Sequence, residues 1–280
     1  MKIHAGYEIS YDCPQSTPMI LTLSVHPSRV ADLLTFDRMH VDPPIVPNTY
    51  HDSFGNFCHV IRAPAGRVTM SADFMIQDSG QPDDVAPQAG QRELDELPVD
   101  VLIYLLGSRY CETDKLSDIA WQLFGSAPRG WRRVQAICDF VCNHLTFGYQ
   151  YARATRTAYD AYQERVGVCR DFAHLAVAFC RCMNIPARYA NGFLGDIGVP
   201  RDPAPMDYNA WFEVFLEGRW FTFDARHNMP RVGRITVARG RDATDIPLAT
   251  SFGPHTLKTF QVWTEEVEPD VLASLTRRIA

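Results

Sequence analysis

The stretch 167–183 constrains the fold of this chain most, because it predicts a buried helix that begins with a cysteine. Apolar side chains recur there at helical spacing, at Phe172, Leu175, Ala176, Phe179 and Met183. Pro186 ends the run, so the helix is predicted over roughly 168–185. Cys169 falls in its first turn, where unpaired N–H groups and the positive end of the helix dipole favour a thiolate. The position predicts a nucleophile or, alternatively, one more small core cysteine like Cys180 and Cys182.

Two antiparallel strands are predicted downstream of this helix. Residues 206–216 form the first strand, a tight turn follows, and residues 219–225 return alongside it. The second strand ends near Asp224. Alternation places four side chains on one face of the first strand: Asp207, Asn209, Trp211 and Glu213.

Three sequence blocks carry a resemblance to a known family: GVCRDFAHL, NAWFEVFL and GRWFTFDAR. Together they resemble the transglutaminase-like branch of the papain-type cysteine enzymes, over roughly residues 93–267. The resemblance implies an α+β core in which the cysteine-bearing helix packs on an antiparallel sheet. It also implies that Cys169 is the nucleophile and Asp224 the orienting carboxylate. In the family, the catalytic histidine lies two residues before the tryptophan, and here that position before Trp211 holds Asn209.

The replacement of histidine by Asn209 raises the question of where a base would come from. An amide does not titrate, so it can neither take the thiol proton nor protonate a leaving group. Asn209 is predicted to point at Cys169, with Asp224 behind it. His174 lies five residues after Cys169 and is predicted to face the core. His227, three residues after Asp224, is the better substitute, although residues 226–228 can also be read as a polar turn.

Residues that would bind substrate are predicted mainly in the polar connection 146–166. In the family, the matching stretch lines the cleft, and here it contains Tyr149. Gln163 lies six residues before Cys169, the spacing that papain-type enzymes use for an oxyanion-stabilising amide. A solvated loop glutamine is the alternative. Trp211, beside Asn209, is the third predicted substrate-binding residue.

The remaining segments predict a second domain and its boundaries. Short alternating runs in residues 1–80 predict an N-terminal β-sandwich, which also resembles the β-domain that precedes such cores in bacteria. Residues 78–91 are rich in Pro, Gly and polar residues and predict a linker. The core domain is predicted over 93–267, with helices at 99–106, 116–124 and 131–145. Residues 268–280 are a tail with a short predicted helix.

Composition excludes several classes of function. The net charge of −6 is spread over 280 residues, so no basic surface for nucleic acid is expected. No apolar run is long enough to span a membrane, and no signal-peptide core is present, so a cytoplasmic protein is expected. The eight cysteines are then expected as reduced thiols. Cys138, Cys142 and His144 could offer metal ligands, but without a second pair the core reading is preferred and no metal or cofactor is predicted.

Two functional hypotheses follow from these observations. The first, which is favoured, is a cysteine enzyme that acts on amide or peptide bonds of a protein or peptide substrate, by hydrolysis or acyl transfer. Cys169 would form the thioester intermediate. The second is a degenerate binding or scaffolding protein that has kept the cleft and lost the chemistry. Retention of Cys169 and Asp224 favours the first hypothesis, and loss of the titrating group favours the second.

Overall fold

The computed structural model describes residues 1–202 and 207–267. Fourteen strands and four α-helices are assigned within these residues. The N-terminal part contains β1 (Lys2–Cys13), β2 (Thr17–Leu21), β3 (His40–Asp42), β4 (Asn48–His51), β5 (Phe57–Ala63) and β6 (Gly66–Gln77). The part that follows contains α1 (Thr113–Phe124), α2 (Trp131–His144), β7 (Thr146–Phe147), α3 (Ala158–Glu164), β8 (Val166–Gly167), α4 (Cys169–Cys182), β9 (Ala187–Phe193), β10 (Asn209–Leu216), β11 (Arg219–Phe223), β12 (Ile235–Gly240), β13 (Ala249–Ser251) and β14 (Thr256–Glu266). The predicted α+β class is confirmed.

The N-terminal strands form two four-stranded antiparallel sheets with the orders β14-β1-β6-β3 and β13-β2-β5-β4. Alternation along β1 buries the side chains that the sequence marks as inward-facing: Ile3, Ala5, Tyr7, Ile9 and Tyr11. Residues from both sheets share one hydrophobic core, which includes Met19 and Leu21 on β2 and Met70 and Phe74 on β6. The predicted β-sandwich is therefore present.

The C-terminal strands complete this sandwich. β14 pairs with β1, with Tyr7 opposite Val262, and β13 pairs with β2. Both strands lie within residues 93–267, the range predicted as the core domain, so strands from both sides of the predicted boundary near residue 80 share the same two sheets. The physical reason is that alternation shows which face of a strand is buried but not which strand lies beside it.

A glycine on β1 provides a test of the pairing of β1 with its two neighbours, β6 and β14. A Cβ atom at Gly6 would overlap the carbonyl oxygen of Ala72 and the ring of Trp263, which lies on β14. We expect Gly6→Ala to lower the free energy of unfolding by about 1–3 kcal/mol, the usual cost of overpacking, measured by urea denaturation. Gly90→Ala is the matched control, because its Cβ would meet only a Glu217 carboxylate oxygen at 3.8 Å. Equal effects of the two substitutions would contradict the pairing.

The second part of the chain places α4 against the sheet β11-β10-β9-β12. Every residue of α4 from Asp171 to Cys182 is buried, which explains the near-continuous apolar pattern of the sequence. Phe212 on β10 and Phe223 on β11 are directly paired, and their rings stack 5.9 Å apart in the same core. Helices α1, α2 and α3 pack around α4. The predicted helix-on-sheet core is confirmed.

Several local predictions differ from the structure. Residues 33–41, one of the alternating runs that predict the β-sandwich, are mostly irregular after a 3₁₀ helix at Pro27–Asp32, and only β3 forms a strand there. The helix predicted over 99–106 is a 3₁₀ turn, Leu102–Leu105. Helix α3 forms inside the predicted polar connection, where Thr157 caps it by accepting a hydrogen bond from the Asp160 N–H at 3.2 Å. The predicted terminal helix lies outside the described residues.

The predicted linker has no regular structure, but it is held against the core. Asp83 bonds to the loop before β12, the Gly90 N–H donates to a Glu217 carboxylate oxygen at 3.0 Å, and the Trp131 N–H donates to the Ala89 carbonyl oxygen at 2.9 Å. The polar composition of this segment reflects its course over the surface, not freedom to move. Within residues 1–202 and 207–267, no helix combines the length and apolarity needed to cross a membrane.

Candidate active site

Cys169 is the first residue of α4, and a buried carboxylate fixes this helix start. The Val168 N–H donates to Asp171 at 3.0 Å, which satisfies one of the unpaired donors of the first turn. Arg156 pairs with the same carboxylate at 3.2 Å and also bonds to the Tyr151 carbonyl oxygen. Gly167 is required here because a Cβ would lie 2.7 Å from the Cβ of Asp171. These contacts tie the 151–156 loop to the helix start.

The Cys169 thiol is partly buried and is not activated in the structure. Burial raises the pKa of Cys169 to about 11, and the negative charge of Asp207 adds to this rise. The Arg226 guanidinium and the N–H groups of Ala210 and Arg170 lower the pKa, but they do not outweigh the other two effects. The expectation that the helix terminus would depress the pKa is therefore wrong, because it considered the dipole without the burial.

Asn209 does not make the contacts predicted for the family's histidine position. Its side-chain oxygen accepts a hydrogen bond from Arg226 at 3.3 Å, and its amide nitrogen donates to the Leu194 carbonyl oxygen at 3.5 Å. The structure assigns it no hydrogen bond to Cys169 or Asp224. The predicted arrangement, with Asn209 linking those two residues, is therefore not the one observed. Arg226 is itself held over the Phe147 ring, with its guanidinium 3.6 Å from the ring centre.

The partner of the buried Asp224 carboxylate is His227. Nδ1 of His227 lies 2.8 Å from Asp224 Oδ2, and the N–H groups of Arg226 and His227 both donate to Oδ1 at 3.0 Å. Arg234 contributes a further bond to Oδ2 at 3.0 Å. Although burial opposes ionisation, Arg234 and His227 hold the pKa of Asp224 well below its usual range. Because Asp224 is ionised, Nδ1 must carry the proton, which leaves Nε2 as the basic atom of the neutral ring.

A turn directly after β11 explains why His227 reaches the Asp224 carboxylate. Strand β11 ends at Phe223, and the Asn228 N–H donates back to the Asp224 carbonyl oxygen at 2.8 Å. This helix-like turn places the His227 side chain beside that of Asp224, three residues earlier in the chain. The polar turn given as an alternative for residues 226–228 is present, and it positions the His227 imidazole.

Two adjoining cavities bring the candidate residues together. A cavity of about 380 Å³ is lined by Cys169, Tyr189 and Asn191, among others. A larger one of about 660 Å³ is lined by His227, Arg226 and Tyr149. Asp207 and Asn209 line both cavities. The Cys169 thiol and His227 therefore line adjoining cavities, which meet at Asp207 and Asn209 around the start of β10.

Asp207, which lines both cavities, has no role among the sequence-based predictions. Burial raises the pKa of Asp207 to about 6, and the Tyr208 N–H and Arg226 only partly oppose this rise. The same group also raises the pKa of Cys169, as described above. A signal was available, because strand alternation already placed Asp207 on the same face as Asn209. Its significance depends on its nearness to the thiol, which only the fold reveals.

The three predicted substrate-binding residues have different positions. Tyr149 lines the larger cavity and is 44% exposed, as expected for a cleft residue. Trp211 is 1% exposed and supports the Arg234 guanidinium 5.0 Å from its ring centre, so it cannot contact substrate. Gln163 is exposed on α3 and lines neither of the two cavities, so the structure does not bring it to the site. Spacing from the cysteine was misleading because Gln163 lies on α3 and β8 separates that helix from Cys169.

The other candidate groups lie in structural positions. His174 is fully buried, as predicted, with Nε2 accepting from the Ala243 N–H at 3.1 Å, and burial lowers its pKa to about 3. Cys138 lies in the core, and the Cys142 thiol donates to the Arg226 carbonyl oxygen at 3.6 Å. His144 bonds to the Tyr162 carbonyl oxygen at 2.7 Å. Over residues 1–202 and 207–267, no three potential ligands converge on a metal position. All eight cysteines are free.

Comparisons with known proteins agree with this geometry. The sequence profile of the transglutaminase-like superfamily matches residues 118–225, which include Cys169, Asn209 and Asp224. A solved structure of a candidate cysteine protease from Cytophaga hutchinsonii has a TM-score of 0.81 and 29% identity, and the match covers 96% of this chain and 92% of that one.

Two curated relatives match shorter stretches. An uncharacterised protein of Mycobacterium leprae is 35% identical over 91 residues, which is 31% of this chain and 32% of that protein. Human kyphoscoliosis peptidase is 29% identical over 130 residues, 43% of this chain and 19% of its own length. The chain thus spans a third or less of these two relatives. The profile match gives residues 118–225 a transglutaminase-like core, and the Cytophaga structure shares the fold that contains this core.

Proposed function

We propose that this chain is a cysteine enzyme that acts on amide bonds of a protein or peptide substrate, with Cys169 as nucleophile and the His227–Asp224 pair as its acid and base. The observation that carries the proposal is the 2.8 Å contact between His227 and the ionised Asp224, beside a cleft that also contains the thiol. Asn209 stands where the family has its catalytic histidine, and an imidazole oriented by a carboxylate is the group that this replacement takes away. His227 with Asp224 is such a group. Likeness to the candidate cysteine protease from Cytophaga over nearly the whole chain supports the same class.

The proposed reaction has two steps. His227 Nε2 accepts the thiol proton, the sulfur attacks the amide carbonyl carbon, and the C–N bond breaks as the amine leaves with that proton. Water or a second amine then attacks the thioester and releases the thiol. The N–H groups of Arg170 and Ala210, which face the sulfur, are candidate donors to the oxyanion. Tyr149 at the cleft would contact the substrate chain.

A second candidate function is a binding or scaffolding protein. One observation favours it: the raised pKa of Cys169, which leaves the resting thiol protonated at neutral pH. Such a protein would hold a peptide in the cleft without forming a thioester. For either function we propose the cytoplasm, a compartment in which the eight cysteines would stay reduced.

A thioester test separates the two functions. The protein is incubated with casein and a fluorescent primary amine, and both incorporation of the amine and release of peptides are measured. We expect one of these activities in the unaltered protein and its loss in Cys169→Ala. Cys142→Ala is the matched control, because Cys142 is the other cysteine that is not fully buried, and it should keep the activity. Equal activity of the unaltered protein and Cys169→Ala would reject the cysteine-enzyme proposal.

A further inference from the structure

Asp83, in the segment predicted as a linker, is bonded to the loop that carries Arg231 and Arg234. Both Asp83 carboxylate oxygens accept from Arg234 Nε, at 3.1 and 2.9 Å. The Asp83 carboxylate also accepts from the Arg231 N–H at 2.9 Å, and the Asp83 N–H donates to the Arg231 carbonyl oxygen at 2.9 Å. This segment and the loop are therefore locked together by side-chain and main-chain bonds.

Arg234 continues this contact into the candidate active site. Its guanidinium is 7% exposed, rests on the Trp211 ring and donates to Asp224 Oδ2 at 3.0 Å. The same oxygen is the one that His227 Nδ1 contacts. Asp224 Oδ2 is thus shared by the His227 imidazole and the Arg234 guanidinium. The Asp83 carboxylate accepts hydrogen bonds from the same guanidinium.

We propose that Arg234 and Asp83 are positioning residues for the Asp224–His227 pair, so that a segment outside the helix-and-sheet core sets the basicity of the candidate catalytic imidazole. This proposal deepens the proposed function and rests on it. Arg234 holds Asp224 ionised and oriented, but it also takes part of the negative charge that would otherwise stabilise a protonated imidazole. The negative charge of Asp83 offsets part of the Arg234 charge. Protonated His227 is therefore stabilised more than it would be with Arg234 alone.

Other charged and titratable groups surround the Asp224–His227 pair. Helix α2 contributes the neutral thiols Cys138 and Cys142 and the carboxylate Asp139, which bonds to Asn228. The cleft side contributes Arg226, Arg231, Asp207 and Tyr149, and further out Arg201, Asp196, Asp202 and Glu265. Asp84 lies on the opposite side, near Asp224. Among the described residues, the side chains that pair with the Asp224 carboxylate are those of His227 and Arg234.

Two substitutions should move the His227 titration in opposite directions. Arg234→Met removes the cation, so the midpoint of the His227 imidazole titration should rise by about one pH unit, a tenfold change in proton affinity. Asp83→Asn removes the offsetting charge and keeps a hydrogen-bond acceptor, so the midpoint should fall. Both midpoints are measured by NMR of the imidazole ring in the full chain, with assignment from His227→Ala. A purely structural role for these residues would not give shifts of opposite sign.

Controls make the proposal falsifiable even if one variant is unstable. Arg67→Met removes an exposed arginine that pairs with Asp12 on the sandwich, and it should leave the His227 midpoint unchanged. Arg234→Lys keeps the charge and should retain most of the original midpoint. If Arg234→Met does not fold, Asp83→Asn and Arg234→Lys still decide the matter. An unchanged His227 midpoint in Asp83→Asn, or in a folded Arg234→Met, would overturn the proposal.

Turnover of His227→Ala, measured beside the His227 midpoints, separates a wrong positioning role from a wrong proposed function. If the midpoints shift as expected but His227→Ala retains full turnover, the positioning network exists and His227 is not the catalytic base. If the midpoints stay fixed while His227→Ala loses turnover, the function stands and the role assigned to Asp83 and Arg234 is wrong.

Discussion

His227→Ala should lower turnover of the amide substrate by about 10²–10⁴-fold, the contribution typical of a positioned general acid–base group. The expected loss follows from the 2.8 Å contact with Asp224, which orients the ring and fixes the proton on Nδ1. Removal of the imidazole takes away the proton acceptor proposed for the thiol, whose pKa is about 11. Steady-state rates at pH 7.5 and the amount of trapped thioester would show the effect on the acylation step.

Asn209→Ala is the matched control for that experiment. Asn209 occupies the position of the family's histidine, but its hydrogen bonds run to Leu194 and Arg226. We therefore expect a loss of tenfold or less, caused by movement of the Arg226 side chain. A larger loss from Asn209→Ala than from His227→Ala would mean that the base is not His227, and the assignment of roles in the cleft would have to change.

Asp207→Asn should increase the rate at which iodoacetamide alkylates Cys169 at pH 7.5 by about tenfold or more. The sign follows from like-charge repulsion: ionised Asp207 raises the pKa of the thiol, so a neutral amide lowers that pKa and increases the thiolate fraction. One unit of pKa corresponds to about a tenfold change in thiolate well below the pKa. Peptide mapping after limited alkylation would assign the modification to Cys169.

The pH dependence of alkylation gives this prediction a second readout. The pKa of Asp207 is about 6, so the natural carboxylate becomes neutral as the pH falls below that value. The ratio of the Asp207→Asn rate to the natural rate should therefore shrink towards one between pH 7.5 and pH 5. Asp196→Asn is the control, because Asp196 lines the larger cavity but not the cavity around Cys169. A ratio independent of pH would mean that Asp207 does not act on the thiol through its charge.

Local sequence patterns predicted much of the fold, because they depend on neighbours along the chain. The periodicity of 167–183 specified α4 to within a few residues, and alternation specified the buried face of β1. Patterns over 131–145 and 219–225 likewise correspond to α2 and β11. The prediction failed where the partner lies far away in sequence, as for β14 beside β1. A polar pattern also concealed α3, whose buried face contains only Ala158 and Ala161.

The candidate site shows the same division. By itself, the sequence determined the cysteine at a helix start, the carboxylate Asp224 at a strand end, the missing histidine at Asn209 and the nearby alternative at His227. Only the tertiary structure decided that His227 is bonded to Asp224, that Asn209 bonds elsewhere and that Asp207 lies close enough to Cys169 to act on its thiol. It also decided that Trp211 is buried and that Asp83 reaches Arg234. The reason is physical: residue type and spacing fix the local backbone, whereas pKa values and hydrogen-bond partners depend on burial and on charges that packing brings together from distant parts of the chain.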